Sequence, residues 1–336
     1  MCIIHISIQT GSKAIMKAAL VLGAGRAPIY GDFPDPAISN RENRIAVTAA
    51  AMSHAVKSRA AGSHYSSSGH YPFVVGVDGV GRLEDGRRVY FVLPTAPYGA
   101  MAERTIAPAA HCLALPDDID DVTAAAIANP GMSSWAAYTE RAKLKAGETV
   151  LVNGATGAAG RLAVQIAKCL GAAKVIATGR NLDALREVAA LGADVTIPLV
   201  ESEKDLDGSL KQQFAERVDV VIDYLWGKSA ERILIAAAKT GAEVAPIRFV
   251  QIGSVSGSEI NLPSAVLRSS AIELMGSGIG SIAFDRLVHA IGGLLQATNS
   301  GGFKIAVKPV PLSDVENEWS NDDSARRTVF TVKIQN

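Results

Sequence analysis

A glycine-rich segment between a predicted strand and a predicted helix constrains this chain more than any other feature. The strand at 149–152 is followed by a helix with apolar positions at 162, 163, 166, 167 and 170, and the two are joined by Asn153-Gly154-Ala155-Thr156-Gly157-Ala158-Ala159-Gly160. Free backbone N–H groups at the start of such a helix bind a pyrophosphate. Ala155 would hold the tight turn, Gly157 would leave room for the phosphate, and Gly160 would let the helix pack closely on the strand.

The position of this segment makes the prediction specific. Glycine spacing alone is a weak signal, but here it lies between a strand and a helix, and another strand follows about 20 residues later. The alternative is an ordinary tight turn without a ligand. We predict a dinucleotide cofactor held by the turn residues Ala155, Thr156, Gly157, Ala158, Ala159 and Gly160.

Strands and helices alternate between about residues 120 and 270. Helices at 161–170 and 182–191 separate predicted strands, which lie at 149–152, 174–178, 218–223 and 248–252. Strands joined through helices require a parallel sheet with right-handed crossovers. Before about 115 and after about 270, short apolar runs broken by turns predict β-rich structure instead. The sequence therefore predicts an α/β fold with a doubly wound parallel sheet.

The end of the second predicted strand selects the form of the nicotinamide cofactor. An NAD-specific site usually has an acidic residue there, which accepts a hydrogen bond from the ribose 2′-hydroxyl. This chain has Gly179, Arg180 and Asn181, and a guanidinium suits a 2′-phosphate because it offers several donors in a fixed fork. We therefore predict NADPH, bound through these three residues. The alternative to phosphate binding is that Arg180 is a solvent-exposed loop residue. The nearby Asp183 is a candidate N-cap for the next helix.

Charge and cysteine content narrow the range of partners. Lys plus Arg and Asp plus Glu number 33 each, so the chain has no general attraction for nucleic acid or an anionic membrane. No apolar run reaches the roughly 20 residues that span a bilayer. The cysteines, Cys2, Cys112 and Cys169, are scattered, which favours a reducing compartment over a disulfide framework. We expect a cytoplasmic protein with a small-molecule substrate.

Residues 1–15 are interpreted as a dispensable tail. The run 2–8 is apolar, but no basic region precedes it and no small-residue cleavage site follows it, so a signal peptide is not expected. The first predicted strand begins at Met16.

Several segments resemble the medium-chain dehydrogenase/reductase superfamily, in particular its zinc-free quinone oxidoreductase branch. Besides the turn, the resemblance is carried by the segments 73–81, 144–152, 163–168, 191–194 and 251–254. It implies a Rossmann NADPH-binding domain, 128–270, inserted in a GroES-like β-rich domain, 16–127 and 271–336, with the cofactor in the cleft between them. It also implies a homodimer and hydride transfer from NADPH to a quinone or an α,β-unsaturated carbonyl.

The resemblance also allows zinc to be tested from the residues. A catalytic zinc needs three protein ligands, and a structural zinc usually needs four cysteines. Zinc-dependent relatives carry Gly-His-Glu where this chain has Gly76-Val77-Asp78, and no cysteine cluster lies between residues 80 and 110. The remaining potential ligands are His54, His64, His70 and Asp78. No pair of them has a spacing typical of metal ligands. We expect no metal site.

Reduction of an enone or quinone places negative charge on a carbonyl oxygen, so the site needs a hydrogen-bond donor beside the substrate. Tyr65 is the candidate proton donor, and His64, Ser53 and His54 are alternatives. The competing interpretation makes Tyr65 an exposed loop residue. Relatives often carry Asn-Pro-x-Asp where this chain has residues 53–56, Ser-His-Ala-Val, a departure that bears on the proton donor and the substrate class.

Further cofactor contacts follow from the resemblance position by position. Asn129 and Ser133 would lie in the first Rossmann helix beneath the nicotinamide. Two segments would border the nicotinamide ring, and they contribute Gly253, Ser254, Val255, Gly278 and Ile279. Leu199 replaces a tyrosine that many relatives place against the adenine ribose. Trp226 either walls the pocket or belongs to the core.

Three functions are compatible with these residues. The leading hypothesis is an NADPH-dependent quinone or enone reductase. A reductase of acyl thioesters would use the same chemistry. An NADPH-binding protein with a structural or regulatory role and little turnover belongs to another class, because a fold does not by itself determine an activity.

Overall fold

The computed structural model describes residues 14–62, 69–200, 202–239, 246–321 and 326–333. The predicted tail lies outside these ranges apart from its last two residues, and Ile15 already belongs to the first strand. None of the helices in the described ranges is long and apolar enough to cross a membrane.

The amino-terminal part of the chain forms antiparallel sheets. Its helix α1 (His54–Ala60) follows the third strand, and its strands are β1 (Ile15–Val21), β2 (Ile29–Pro34), β3 (Glu42–Ala51), β4 (Phe73–Val74), β5 (Asp78–Leu83), β6 (Arg88–Val92), β7 (Arg104–Pro108) and β8 (Cys112–Ala114). A 3₁₀ turn at Ala109–His111 precedes β8. Three of the strands form a small sheet in the order β2-β1-β4.

The central part of the chain alternates helices with strands. Its helices are α2 (Asp121–Ala136), extended by a π-helical turn at Ala137–Ala142, α3 (Ala158–Cys169), α4 (Leu182–Ala190), α5 (Glu203–Glu216), α6 (Gly227–Lys239), α7 (Ser264–Arg268) and α8 (Phe284–Ser300). Its strands are β9 (Thr149–Asn153), β10 (Lys174–Gly179), β11 (Val195–Pro198), β12 (Val220–Asp223), β13 (Ile247–Gln251) and β14 (Ile272–Gly276).

These six strands form one parallel sheet in the order β11-β10-β9-β12-β13-β14. The order is that of a Rossmann fold, in which the chain winds outward in two directions from the first strand. Every residue of β9 is buried, as expected for a central strand covered on both faces. The strand order reverses between β9 and β12, which is where such folds bind their ligands.

The carboxyl-terminal part of the chain completes the larger antiparallel sheet. It contains β15 (Val307–Pro311), a 3₁₀ turn at Leu312–Asp314, α9 (Val315–Glu318) and β16 (Arg327–Thr331). The larger sheet has the order β15-β16-β3-β5-β6-β8, and β7 pairs with β3 as well.

The boundaries between the two compact units differ from the predicted ones. Of the described residues, 14–114, 309–321 and 328–333 form the β-rich unit, and those within 115–308, with 326–327, form the Rossmann unit. These limits differ from the predicted domain boundaries at 127/128 and 270/271. β14 adds to the parallel sheet, and α8 packs on α2, so both belong to the Rossmann unit.

Candidate dinucleotide-binding site

The glycine turn joins β9 to α3 at the centre of the parallel sheet. Gly154 has a φ of +89°, and an added Cβ would also lie 2.8 Å from Leu225 Cγ, so this position requires glycine. Gly157 is the N-cap of α3, with an extended backbone and no side-chain hydrogen bond to the first turn. The first N–H groups of α3 therefore lack a side-chain cap and are available to an anion.

Gly157 and Gly160 differ in what surrounds them. A Cβ at Gly157 would meet no atom of the described residues within 4 Å, so the space before the helix is open. A Cβ at Gly160 would lie 2.2 Å from Gly154 O and 2.6 Å from Ala155 Cα. Close packing therefore accounts for Gly160, whereas open space in front of uncapped N–H groups fits a pyrophosphate at Gly157.

A buried polar network lies beneath the turn. The Asn153 side-chain amide donates to Asp223 Oδ1 at 2.8 Å and to Ser229 Oγ at 2.9 Å. Thr178 Oγ1 donates to Asn153 Oδ1 at 2.6 Å and accepts from the Gly154 N–H at 3.2 Å. Because Asn153, Thr178 and Asp223 lie at or next to the carboxyl ends of β9, β10 and β12, the network holds the three strand ends together.

The buried carboxylate of Asp223 depends on its hydrogen-bond donors. Burial raises the pKa of Asp223 above its usual value. The backbone N–H groups of Leu225 and Trp226 and the Asn153 amide donate to the carboxylate and offset part of this shift. Removing one donor would leave part of this buried charge without compensation.

The end of β10 carries the residues predicted to select the cofactor. Gly179 is buried, whereas Arg180 is exposed and makes no hydrogen bond or ion pair with the described residues. Asn181 is the N-cap of α4, with its side-chain oxygen accepting a backbone N–H of the first turn at 3.0 Å. Asp183, the cap considered from the sequence, instead pairs with Arg186 at the surface. The Arg180 guanidinium is thus available to an anion.

Most of the other predicted cofactor contacts lie on the same edge of the sheet. Because parallel strands end at one edge, the segments after β13 and β14 share it with the turn at 154–157. Val255 and Ile279 are 71% and 61% exposed, so both present apolar side chains at that edge. The residues brought there are Gly253, Ser254, Val255, Gly278 and Ile279.

The predicted contacts Asn129 and Ser133 lie inside α2, and both are half-buried. Ser133 Oγ donates to the Pro130 carbonyl at 2.7 Å and lies 3.3 Å from the Tyr224 hydroxyl oxygen. Either of these two hydroxyl groups can donate to the other. Sequence reasoning missed Tyr224, although it directly follows Asp223 at the end of β12.

Tyr224 gives a test by alkaline unfolding. Burial raises its pKa to about 12, and hydrogen bonds with Ser133 and Ser134 act in the opposite direction. The unfolded chain loses this proton near pH 10 while the folded protein keeps it, so stability falls as the pH rises from about 10 to 12. Between about pH 9 and 11.5 the free energy of unfolding should fall by about 2 kcal/mol more in the wild type than in Tyr224→Phe. The free energy of unfolding is measured by urea denaturation, and an equal fall with pH in the two proteins would contradict this prediction.

The structure describes only part of the predicted proton-donor set. Ser53 is the N-cap of α1, and its Oγ accepts from the Val56 N–H at 3.2 Å. His54 begins the same helix and is exposed. Tyr65 and His64 lie outside the described residues. Ser53 thus has a capping role, which occupies its oxygen as an acceptor and leaves its proton to donate.

Potential metal ligands are dispersed in the part of the chain that the structure describes. No group of three or more His, Cys, Asp or Glu side chains there could hold an ion. Asp78, one of the potential ligands named from the sequence, is buried and accepts a hydrogen bond from the Tyr90 hydroxyl at 2.8 Å.

Trp226 and Leu199 pack on the core of the Rossmann unit. The Trp226 ring meets Phe249 edge to face, with ring centroids 6.3 Å apart, and both side chains at 199 and 226 are partly buried against the same cluster. The sequence allows Trp226 to be either a wall of the pocket or a core residue, and this packing fits the core role. The Leu199 N–H donates to Gly179 O at 2.8 Å, which holds the chain after β11 against the end of β10.

The sheet order and the glycine turn at its switch point define a Rossmann-type dinucleotide-binding protein. Residues 158–292 match the family model described as "Zinc-binding dehydrogenase". A probable NADPH-dependent quinone reductase of Emericella nidulans is 30% identical over 363 aligned positions, which cover 94% of this chain and 100% of the relative. The chain therefore belongs to the medium-chain dehydrogenase/reductase superfamily, in its quinone-oxidoreductase-like branch.

Two further comparisons agree with this family. The quinone oxidoreductase of Thermus thermophilus, solved also in complex with NADPH, has a TM-score of 0.78 and 26% identity, covering 94% of this chain and 100% of its own. An NADP⁺-dependent 2-alkenal reductase of Nicotiana tabacum is 35% identical over 108 residues, which are 32% of this chain and 31% of the relative.

Proposed function

We propose that this chain reduces a quinone or an α,β-unsaturated carbonyl compound with NADPH and without zinc. As a member of its superfamily branch it is an NADPH-dependent oxidoreductase. One observation carries the proposal: the open N-terminus of α3 at Gly157 lies at the same sheet edge as the unpaired guanidinium of Arg180. The first suits a pyrophosphate and the second a 2′-phosphate, and NADPH carries both anionic groups.

Bound NADPH supplies the hydride, while the chain supplies position, shielding from water and a proton. We assign the nicotinamide end to Asn129, Ser133 and the exposed edge segments at 253–255 and 278–279. Two relatives of this chain are named for a quinone and a 2-alkenal, which supports an acceptor conjugated to a carbonyl. In such an acceptor the negative charge develops on oxygen and needs a donor.

The proposed proton donor is Tyr65, with His64 and Ser53 as the alternatives. Tyr65→Phe removes only the phenol hydroxyl. We expect kcat to fall by about 100-fold, because general acid catalysis contributes on that scale, with the Kd of NADPH unchanged. Stopped-flow reduction and a fluorescence titration measure the two constants. An unchanged kcat would show that Tyr65 is not the proton donor. Substitutions of His64 and Ser53 would then test the two alternatives in the same way.

The dispersal of potential ligands among the described residues supports the proposed zinc independence. A zinc enzyme of this class needs three protein ligands around an open coordination position. We expect NADPH oxidation to persist after treatment with a strong chelator, in protein whose metal content is measured by mass spectrometry. Stoichiometric zinc, with activity lost on its removal and regained on its return, would contradict this part of the proposal.

Arg180 gives the sharpest test of cofactor choice. Arg180→Met removes the guanidinium but keeps a long side chain at an exposed position. A charge-assisted pair with phosphate contributes about 1.5–3 kcal/mol, so we expect the Kd of NADPH to rise about 10- to 100-fold, with little change in the Kd of NADH. Arg186→Met is the matched control, because Arg186 is exposed on the next helix and pairs with Asp183. Equal losses for the two cofactors would contradict a 2′-phosphate contact.

Turnover separates the proposal from the non-catalytic alternative. NADPH oxidation is followed by the loss of its near-ultraviolet absorbance, with a panel of quinones, 2-alkenals and acyl thioesters. The proposal expects rapid oxidation with a quinone or a 2-alkenal. Binding of NADPH by fluorescence with no oxidation across the panel would instead favour a structural or regulatory role.

We propose a homodimer formed through the outer edge of the parallel sheet. β14 is the last strand of that sheet, and Leu274 at its centre is 40% exposed. Unpaired edge strands are templates for strand addition by a second chain. Sedimentation analysis should give twice the chain mass, and Leu274→Lys should shift the population toward monomer; a wild-type monomer at micromolar concentration would refute the dimer.

We also propose a cytoplasmic location. Cys112 and Cys169 are free thiols, as expected in a reducing compartment. Cell fractionation with an antibody to the chain tests this, and recovery in an oxidising compartment would overturn it.

A further inference from the structure

Position 179 accommodates only glycine, because a neighbouring side chain occupies the space that a Cβ would need. Gly179 is the last residue of β10 and is buried, and its φ lies outside the left-handed region, so its backbone would accept a side chain. An added Cβ would nevertheless lie 2.4 Å from Thr156 Cγ2, and 3.3 Å from Thr156 Oγ1 and from Leu185 Cδ2. The closest obstacle is the methyl group of a residue in the glycine turn itself.

Thr156 is held in this position by its neighbours. Its carbonyl accepts from Arg161 Nε at 2.9 Å, and Arg161 Nη2 is ion-paired at 2.6 Å with Glu187 of α4. The preceding residue is fixed as well, since the Ala155 N–H donates to Thr178 O at 2.8 Å. A side chain added at Gly179 would therefore meet a methyl group on an anchored backbone.

Position 179 is where a carboxylate would favour NADH. In a Rossmann site the acidic residue that accepts from the ribose 2′-hydroxyl stands at the end of the second strand, which here is β10. Arg180 also lies at that end, but it is exposed, whereas the Cβ direction of Gly179 points at the cofactor turn.

We infer that the methyl group of Thr156 excludes an acidic side chain from position 179 and thereby blocks conversion of the site from NADPH to NADH. This inference rests on the proposed NADPH site. In the wild type the cation at Arg180 provides the preference for NADPH, and the Thr156 methyl group blocks the carboxylate that would favour NADH. Adding a carboxylate at 179 fails unless Thr156 is trimmed as well.

Two substitutions of Thr156 isolate the methyl group. Thr156→Ser removes Cγ2 and keeps the hydroxyl, whereas Thr156→Val keeps a branched side chain and removes the hydroxyl. Each is combined with Gly179→Asp, and the Kd values of NADPH and NADH are measured by fluorescence and calorimetry. We expect Gly179→Asp alone to weaken both cofactors at least about tenfold. The pair Thr156→Ser with Gly179→Asp should bind NADH about tenfold or more tightly than Gly179→Asp alone and prefer it to NADPH, because the carboxylate regains a hydrogen bond to the ribose.

The valine pair is the matched control, and it should bind NADH no better than Gly179→Asp alone. Two results would overturn the inference: a switch to NADH by Gly179→Asp alone, or equal rescue by serine and valine. Failure of the proposed function is distinguishable, because wild-type protein would then bind neither cofactor or show no preference for NADPH.

A ligand-free measurement keeps the inference testable if the aspartate variants do not fold. Gly179→Ala adds only the Cβ, which should lower Tm because it collides with Thr156. Adding Thr156→Ser should restore most of the lost Tm, and adding Thr156→Val should not. Equal Tm values for the three variants would contradict the steric contact.

Discussion

Gly157→Asp is expected to abolish NADPH binding while leaving the fold at least as stable as the wild type. Gly157 already has the extended backbone of an N-cap, and nothing among the described residues obstructs a side chain there. Aspartate is a better N-cap than glycine, by a few tenths of a kcal/mol. Its carboxylate would occupy the first-turn N–H groups of α3 and repel the pyrophosphate, so we expect the Kd to rise by about 100-fold or more.

Two further variants separate charge from packing in this test. Gly157→Asn has the same shape as aspartate but no charge, so it should weaken NADPH binding less. Gly160→Ala places its Cβ against Gly154 O and should lower Tm instead. Tight NADPH binding by a folded Gly157→Asp protein would show that the phosphates lie elsewhere, and the proposed site would be wrong.

Asn153→Leu is expected to lower the free energy of unfolding by about 3 kcal/mol. Leucine fills a similar volume but leaves the buried Asp223 carboxylate without its amide donor and the Thr178 hydroxyl without its acceptor. Buried groups left unsatisfied cost about 1–3 kcal/mol each, and more when charged. For a unit of this size the Tm should fall by about 6–12 °C, as measured by calorimetry.

Thr178→Val provides the graded comparison for this network. It removes one hydroxyl, while Asn153 keeps its contacts with Asp223 and Ser229, so we expect a loss of about 1 kcal/mol. If Asn153→Leu cost no more than Thr178→Val, Asp223 would have to find another donor, and the network would not hold the strand ends together.

The parallel sheet was predictable because its pattern is local. Each predicted strand between 149 and 252 is a short apolar run, and the first two are each followed by a predicted helix. The structure has strands at 149–153, 174–179, 220–223 and 247–251. Such patterns depend on neighbours a few residues apart, so one sequence suffices to read them.

The boundaries of the two units could not be read in the same way. The run 272–276 has the composition of a strand, and nothing in it indicates which sheet it joins. Its membership is decided by pairing with β13, as in Phe249 opposite Leu274 and Val250 opposite Met275. The long helix α8, which packs on α2, then keeps 284–300 in the Rossmann unit.

The candidate site shows the same difference between local features, which the sequence predicts, and contacts between distant residues, which it does not. The glycine spacing predicts which backbone positions face a phosphate, but it gives no indication of the Asn153–Thr178–Asp223 network or of the contact between Thr156 and Gly179. These contacts join residues about 20 to 70 positions apart. One signal was available, because Asn153, Thr178 and Asp223 are polar residues that each end an apolar run.

The pairing of β16 with β3 has a consequence for the order of events during synthesis. Val329 and Phe330 pair with Ala51 and Ala50, so β3 meets this neighbour only after residues near 330 have left the ribosome. The Rossmann unit is built almost entirely from one continuous stretch that emerges earlier. It is therefore able to fold first, while β3 still lacks this neighbour and presents an unpaired edge, a feature that favours aggregation.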